Sequence, residues 1–291
     1  MRIATNQQTN TIINQINNAN VLMGKYQTQV STGKRYETMS ENPAATTQVL
    51  SYNHILNQLN REQKDVSDAK SLLTSADTSL SSMNDAMSRI NAIVLQSLNG
   101  TTDEKNMNQA AEEVKGLLQS LVSLGNTDDD GRYIFSGSST NTKPFTINSQ
   151  TGVIAYNGTT DNKNFKVSDS HEVEVYHDGS QLTQIFNTIN QIVQAMQSGD
   201  KDSLRGFQEQ NEANLDILSN KMTSVGGQKN SVLAYDNILS SKIIDYKDRK
   251  SKVDEVDGPE AISNLNQASI AYQASLKSSV IIQQLSILNY M

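Results

Sequence analysis

Three histidines, His54, His171 and His177, are the side chains best suited to metal or proton chemistry in this 291-residue chain. His171 and His177 stand six apart on a predicted strand path, where alternate residues share a face. Two imidazoles without a defined third ligand make a weak metal site, so solvated hairpin residues are the preferred reading. Asn126, Asp128, Asp130 and Gly131 open like a calcium loop, but the ninth position is Ile134 and the twelfth is Gly137, where a bidentate glutamate is required. A turn is expected there instead. Glu112 and Glu113 are neighbouring carboxylates on a predicted helix, with no sign of the pocket that acid–base catalysis needs. Asn157-Gly158-Thr159 matches a glycosylation acceptor, yet Asn-Gly is a strong hairpin signal and explains the residues without modification. No serine elbow, glycine-rich phosphate cradle or HExxH motif is present. No catalytic, cofactor-binding or metal residue is assigned, and the chain is expected not to be an enzyme.

Composition points the same way. The chain holds 55 Asn plus Gln, only 36% hydrophobic residues, 5% aromatic residues and no Trp, a thin core for its length. Three prolines argue against a Pro-rich disordered chain. A formal charge of -7 gives no general attraction to phosphate backbones, so no nucleic-acid partner is expected. The absence of cysteine excludes disulfide staples and thiolate zinc sites. The opening MRIATNQQTN has no apolar core of a signal peptide, and no run is long enough to cross a bilayer, so export without a cleaved signal and no membrane insertion are expected.

The elements follow from spacing. Ile12, Ile16, Ala19, Met23, Tyr26 and Val30 alternate steps of four and three, the stripe of a helix that needs a partner. Gly33 and Pro43 punctuate the chain, and a helix over residues 44–98 then carries Tyr52, Leu59, Val66, Leu73, Leu80, Met87 and Val94 seven apart. Ile55, Glu62, Ala69, Ala76, Met83 and Ile90 supply the second series, imperfect only at Glu62. Asn99 and Gly100 end it, Thr102 and Asp103 can cap the next helix, and that helix shows Met107, Ala110, Val114, Leu117, Leu121 and Leu124. Short β-prone runs with Gly and Asn turns fill residues 131–180. Helical spacing resumes at Leu182, Ile185, Ile189, Ile192 and Met196, breaks at residues 198–202, and continues on a lattice of Leu204, Asn211, Leu218, Val225, Val232, Leu239, Tyr246 and Val253. After residues 257–260, Leu265, Ala268, Tyr272, Leu276 and Val280 recur before Ile281, Ile282, Leu285, Ile287 and Leu288 broaden the apolar face. Residues 1–40 carry five charged side chains, and residues 260–291 only Glu260 and Lys277.

The expected fold is mainly α: an elongated antiparallel coiled-coil helical rod formed by the N- and C-terminal halves, with a small β-rich insert. Its parts are an N-terminal assembly helix (1–42), rod helices (43–130), the β-rich outer domain (131–180), returning rod helices (181–256) and a C-terminal assembly helix (257–291). The terminal stripes can pack on one another or on another subunit.

Both ends carry recognisable motifs. MRIATNQ with VSTGKRYETMSENPAATTQ at 30–48, KMTSVGGQKNSVL at 221–233, and DEVDGPEAISNLNQASIAYQASLKSSVIIQQLSILNYM at 254–291 resemble the bacterial flagellin family over nearly the whole chain. GRYIFSG at 131–137 tilts the resemblance towards the branch that joins hook to filament; a small flagellin building the filament is the alternative, and a secreted enzyme on a coiled-coil scaffold is a more distant one. Thr32, Glu41 with Asn42, and the NYM ending depart from common flagellin residues without altering the helical pattern. The resemblance implies an extracellular, flagellar location reached through the type III export apparatus. It implies self-association within the junction, contacts with hook-associated protein 1 and flagellin, and an export chaperone on the C-terminal region. By the same resemblance the terminal helices line an inner tube, the rods form its wall, and the insert faces outward. Ile12, Ile16, Met23 and Tyr26, with Leu276, Ile281, Leu285 and Leu288, are the expected assembly residues, with outward-facing members of the same helices beside them.

Overall fold

The computed structural model of the protein describes residues 2–99, 104–148, 150–168 and 171–288. Among these residues the order is α1 (Arg2–Thr32), α2 (Pro43–Asn99), α3 (Glu104–Gly125), β1 (Asp128–Asp129), β2 (Arg132–Tyr133), β3 (Phe145–Ile147), β4 (Ile154–Tyr156), β5 (Lys163–Ser168), β6 (His171–Tyr176), α4 (Ser180–Ser198), α5 (Lys201–Asp254) and α6 (Gly258–Leu288). The protein is mainly α, with three small antiparallel strand pairs, β1–β2, β3–β4 and β5–β6. Gly100, Thr102 and Asp103, read as a helix end and cap, lie outside the described residues. The chain divides into two compact units, residues 1–59 with 241–291, and residues 60–240.

Within residues 60–240, the seven-residue series is the core. Val66, Leu73, Leu80, Met87 and Val94 on α2 are buried, as are Ala69, Ala76, Met83 and Ile90, and so are Leu204, Leu218, Val225, Val232 and Leu239 on α5. Lys229 Nζ donates to Asp77 Oδ2 at 2.7 Å and Tyr235 Oη donates to Glu62 Oε2 at 3.1 Å, so the two helices run antiparallel. Glu62, the flaw in the second series, is thereby a half-buried acceptor. The inward stripe of α3 is Met107, Ala111, Val114, Leu118 and Leu121; the expected Ala110 and Leu117 stand half out. At 3.6 residues per turn either choice fits the spacing, and packing against α4 selects one. Leu182, Ile185, Ile189, Ile192 and Met196 of α4 are all buried. The α4–α5 break is a left-handed C-cap at Gly199 followed by Asp200, whose Oδ1 accepts the Asp202 and Ser203 N–H groups at 3.2 and 3.1 Å. Those bonds hold the Asp200 carboxyl below its usual range, the Ser203 hydroxyl contributing most.

The strand pairs are too short to support themselves, and side chains complete them. Asp130, at φ 56°, and Gly131, at φ 76°, form the two-residue loop between β1 and β2, which is the turn expected of the calcium-like sequence. Phe145 on β3 packs edge-on against Phe186 on α4, with ring centroids 5.1 Å apart. The Phe145 N–H donates to Asn126 Oδ1 at 2.9 Å, and Asn126 Nδ2 donates to the Phe145 C=O at 3.0 Å. On the other strand the Ile154 N–H donates to Asn187 Oδ1 at 2.9 Å, and Asn187 Nδ2 donates to the Ile154 C=O at 3.0 Å. Each carboxamide thus acts as the missing neighbour strand for one buried residue.

Two expectations need correction here. Asn157-Gly158 is not a hairpin loop, because β4 pairs back with β3; it is a bend in which a Cβ on Gly158 would lie 2.5 Å from the Tyr156 ring. His177 is not a solvated hairpin residue: β6 ends at Tyr176, and the chain turns inward so that His177 is buried with Nδ1 3.2 Å from Glu174 Oε1.

The amides do not all play the same part. Asn211 fills the vacancy in the α5 lattice, is buried, and makes no side-chain hydrogen bond among the described residues. Asn126→Ala or Asn187→Ala strands two buried backbone groups and is expected to cost about 2–4 kcal/mol in urea unfolding. Asn211→Leu is expected to raise stability by about 1 kcal/mol, since it replaces an unsatisfied amide by an apolar side chain of similar size. A lowered urea midpoint for Asn211→Leu would show that the amide is satisfied in solution.

Candidate assembly interface

In the unit formed by residues 1–59 and 241–291, a short backbone bridge sets the geometry. Gly33 ends α1 at φ 69°, a left-handed cap, with its N–H on the Gln29 C=O at 2.9 Å. The Arg35 N–H donates to the Asp254 C=O at 2.7 Å and the Val256 N–H to the Gly33 C=O at 2.9 Å, while Gln29 Nε2 donates to the Arg35 C=O at 2.7 Å. This antiparallel bridge fixes the end of α1 beside the start of α6. Asp257 caps α6, its Oδ1 accepting the Glu260 N–H at 3.3 Å, and Glu260 adds a favourable charge to the first turn. Asn42 caps α2 by accepting the Ala45 N–H at 3.0 Å, with Pro43 at the first helical position. Tyr52 of α2 and Tyr246 of α5 meet with ring centroids 6.2 Å apart, so the two seven-residue series also face one another here.

α1 and α6 pack antiparallel along their lengths. On α1, Ile12 and Ala19 are buried and Ile16, Met23 and Tyr26 half-buried, the predicted inward face; Val30, at its end, is 40% exposed. On α6 the inward face runs through Ala261, Leu265, Ala268 and Tyr272 and then through Ser275 and Ser279. Leu276 and Val280 therefore leave the stripe on which the spacing put them; they are exposed, as is Ile281. Small residues at 275 and 279 supply the inward positions with the correct three- and four-residue steps, which frees the apolar neighbours to point outward. Leu285 and Leu288 lie on the last turns of α6, and their side chains are outside the described residues.

Apolar residues off the stripe were the part that spacing did not single out. Ile13, Val21 and Leu22 on α1, and Ile262 and Ile270 on α6, are exposed, Val21 by 71% and Ile270 by 66%. Around them stand uncharged amides, Asn10, Asn14, Gln15, Asn17, Asn18 and Asn20, all exposed. From residue 3 to Thr32 the sole charged side chain is Lys25, which pairs with Glu41 at 3.7 Å, and α6 adds only Glu260 and Lys277. Among the described residues, each helix thus carries apolar and amide side chains on its outward sides as well as on its inward face. Among the described residues no helix is long and apolar enough to cross a membrane. Of the eight expected residues, six have described side chains: Ile12, Ile16, Met23 and Tyr26 stand on the face that α1 turns to α6, whereas Leu276 and Ile281 face away from that contact.

Comparison with known proteins places this arrangement. The family profile described as the bacterial flagellin N-terminal helical region matches residues 3–140. The chain is 25% identical to the flagellar hook-associated protein 3 of Escherichia coli strain K12 across 99% of its own length and 98% of that protein. It is 30% identical to the FlgL of Bacillus cereus, whose crystal structure it matches with a TM-score of 0.63 over 69% of this chain and 99% of that one. The crystal structure of the flagellar junction protein FlgL from Legionella pneumophila shares the fold, with a TM-score of 0.57 at 17% identity over 73% of this chain and 100% of that one. A cap at Gly33, an Asn-Pro start to α2 and a nearly uncharged terminal helix pair thus occur in a chain that belongs to the flagellin-related family of flagellar hook-associated protein 3, FlgL.

Proposed function

We propose that this chain is a structural subunit of the bacterial flagellum that joins the hook to the flagellin filament. The observation that carries the reading is the pair α1 and α6, which bury one face on each other and present apolar and amide side chains on their remaining sides. Ile13, Val21, Leu22, Ile262, Ile270, Leu276, Val280 and Ile281 would each be buried by neighbouring copies, at about 25 cal/mol per Å² of apolar surface removed from water. Leu285 and Leu288, on the last turns of α6, remain assembly residues by the sequence resemblance alone. Full-length similarity to proteins named hook-associated protein 3 supports the junction role over that of a bulk filament subunit.

The partners in this reading are further copies of the chain, hook-associated protein 1 below it and flagellin above it. Export runs through the flagellar type III apparatus, and a chaperone covers the apolar C-terminal helix until assembly. The work is geometric: a subunit that meets two different lattices transmits force through packed helices and needs no reaction chemistry.

Substituting a charge at an outward position separates assembly from folding. Ile270→Asp is expected to leave the circular dichroism and the urea midpoint of the isolated chain within about 0.5 kcal/mol of the parent, because the site is exposed. Incorporation into the flagellum is expected to fall at least tenfold, since an unpaired carboxylate would be buried. Ala268→Asp, on the inward face, is expected to damage both. Normal incorporation of Ile270→Asp would defeat the interface. Deleting the gene is expected to leave hooks and release unattached flagellin; complete junctions lacking only filament, or immunogold label along whole filaments, would instead identify a flagellin.

A further inference from the structure

Outside the terminal helices, the titratable cluster around His177 stands apart, all of it within residues 60–240. His177 links β6 to α4 and ties the β-rich segment together through its backbone: its N–H donates to the Ile134 C=O at 2.9 Å, and its C=O accepts the Gly137 N–H at 3.1 Å. The knot continues through the Ser136–Asp178 bridge and through Lys221 on α5, whose Nζ donates to the Asp178 C=O at 3.0 Å. Tyr156 Oη, accepting the Gly179 N–H at 3.1 Å and within donating reach of Phe135 and Thr159 carbonyls, closes the other side. Beside it lies a cavity of about 330 Å³ whose charged lining residues are Glu174, Asp178 and Lys221, together with His177.

The placement of the imidazole decides what a proton would do. Glu174 is an acceptor, so the neutral ring carries its hydrogen on Nδ1 and donates it across the 3.2 Å contact. A second proton must go to Nε2, which is buried and has no hydrogen-bond partner among the described residues. There it would be an N–H without an acceptor, and the new cation would face Lys221 on α5. Glu174 on β6 opposes that cost and Asp178 in the linker draws on Lys221, whose own ammonium is disfavoured by burial.

We propose that His177 is a proton-operated latch: neutral, it locks residues 134–137 to the β6–α4 turn, and on protonation the β-rich segment releases from α5. Burial lowers the His177 pKa below its ordinary value, against the smaller upward pull of Glu174. The unlatched form therefore binds the proton more tightly. The stabilisation is fully present above the ordinary histidine range and is lost as pH falls through it.

Hydrogen exchange of the full chain tests this. From about pH 7.5 to about pH 5, protection factors of the Gly137 and His177 amides are expected to fall about tenfold or more relative to those of Leu80 and Met83. His177→Gln is expected to abolish that pH dependence, and His54→Gln to retain it. An unchanged fall in His177→Gln, or none in the parent chain, overturns the latch. Should His177→Gln fail to fold, the imidazole resonances of the parent decide: titration below about pH 6.5 supports the latch, and titration at or above that value overturns it.

Discussion

Burial of one narrow stripe along each long helix is the interaction on which residues 60–240 depend. Val66, Leu73, Leu80, Met87 and Val94 repeat every seven residues on α2, and Leu218, Val225, Val232 and Leu239 repeat likewise on α5. Such stripes cannot be hidden by a lone helix, so pairing is required, and the Asp77–Lys229 and Glu62–Tyr235 contacts show it to be antiparallel and mark its register. Helices α3 and α4 add their own apolar faces, and the β3–β4 pair packs against them. Phe145 against Phe186, and the two asparagine clamps, make the β-rich segment an extension of the helical core.

Periodicity made the helices legible because the buried face of a long helix leaves a repeated mark. All of Leu182, Ile185, Ile189, Ile192 and Met196 are inward, as their spacing indicates. The stripe of α3 shows the limit of that mark: Ala110 or Ala111, and Leu117 or Leu118, are chemically equivalent choices, and the partner helix selects the second of each. The roles of Asn126, Asn187 and His177 were not legible, since each depends on a group more than a dozen residues away or on the direction of a turn after a strand ends. The sequence around Gly158 reads as a turn, whereas the requirement for glycine comes from the Tyr156 ring beside it.

The terminal pair differs in kind from the larger unit. Its inward face is thin, with Ala19, Ala261, Ala268, Ser275 and Ser279 among its members, so the helices approach closely while burying little. Larger apolar side chains stand outside, at Val21, Ile262, Ile270 and Ile281. Leu276, which spacing places on one stripe with Leu265, Ala268 and Tyr272, stands with this outer set. A surface composed of branched aliphatics and carboxamides can be dehydrated at modest cost, provided the amides find partners in the neighbouring chain. The scarcity of core implied by the composition is therefore local to this pair; residues 60–240 have an interior of their own.

The carboxamide clamps carry a further consequence. A two-stranded sheet has two open edges, each a template on which an identical strand from another chain could add. Asn126 occupies such positions on β3, and Asn187 does so on β4. Edge-to-edge strand addition between chains would compete with the native packing of the pair. Two asparagines close that route on both edges of the β3–β4 pair at the cost of no charge and no additional residue.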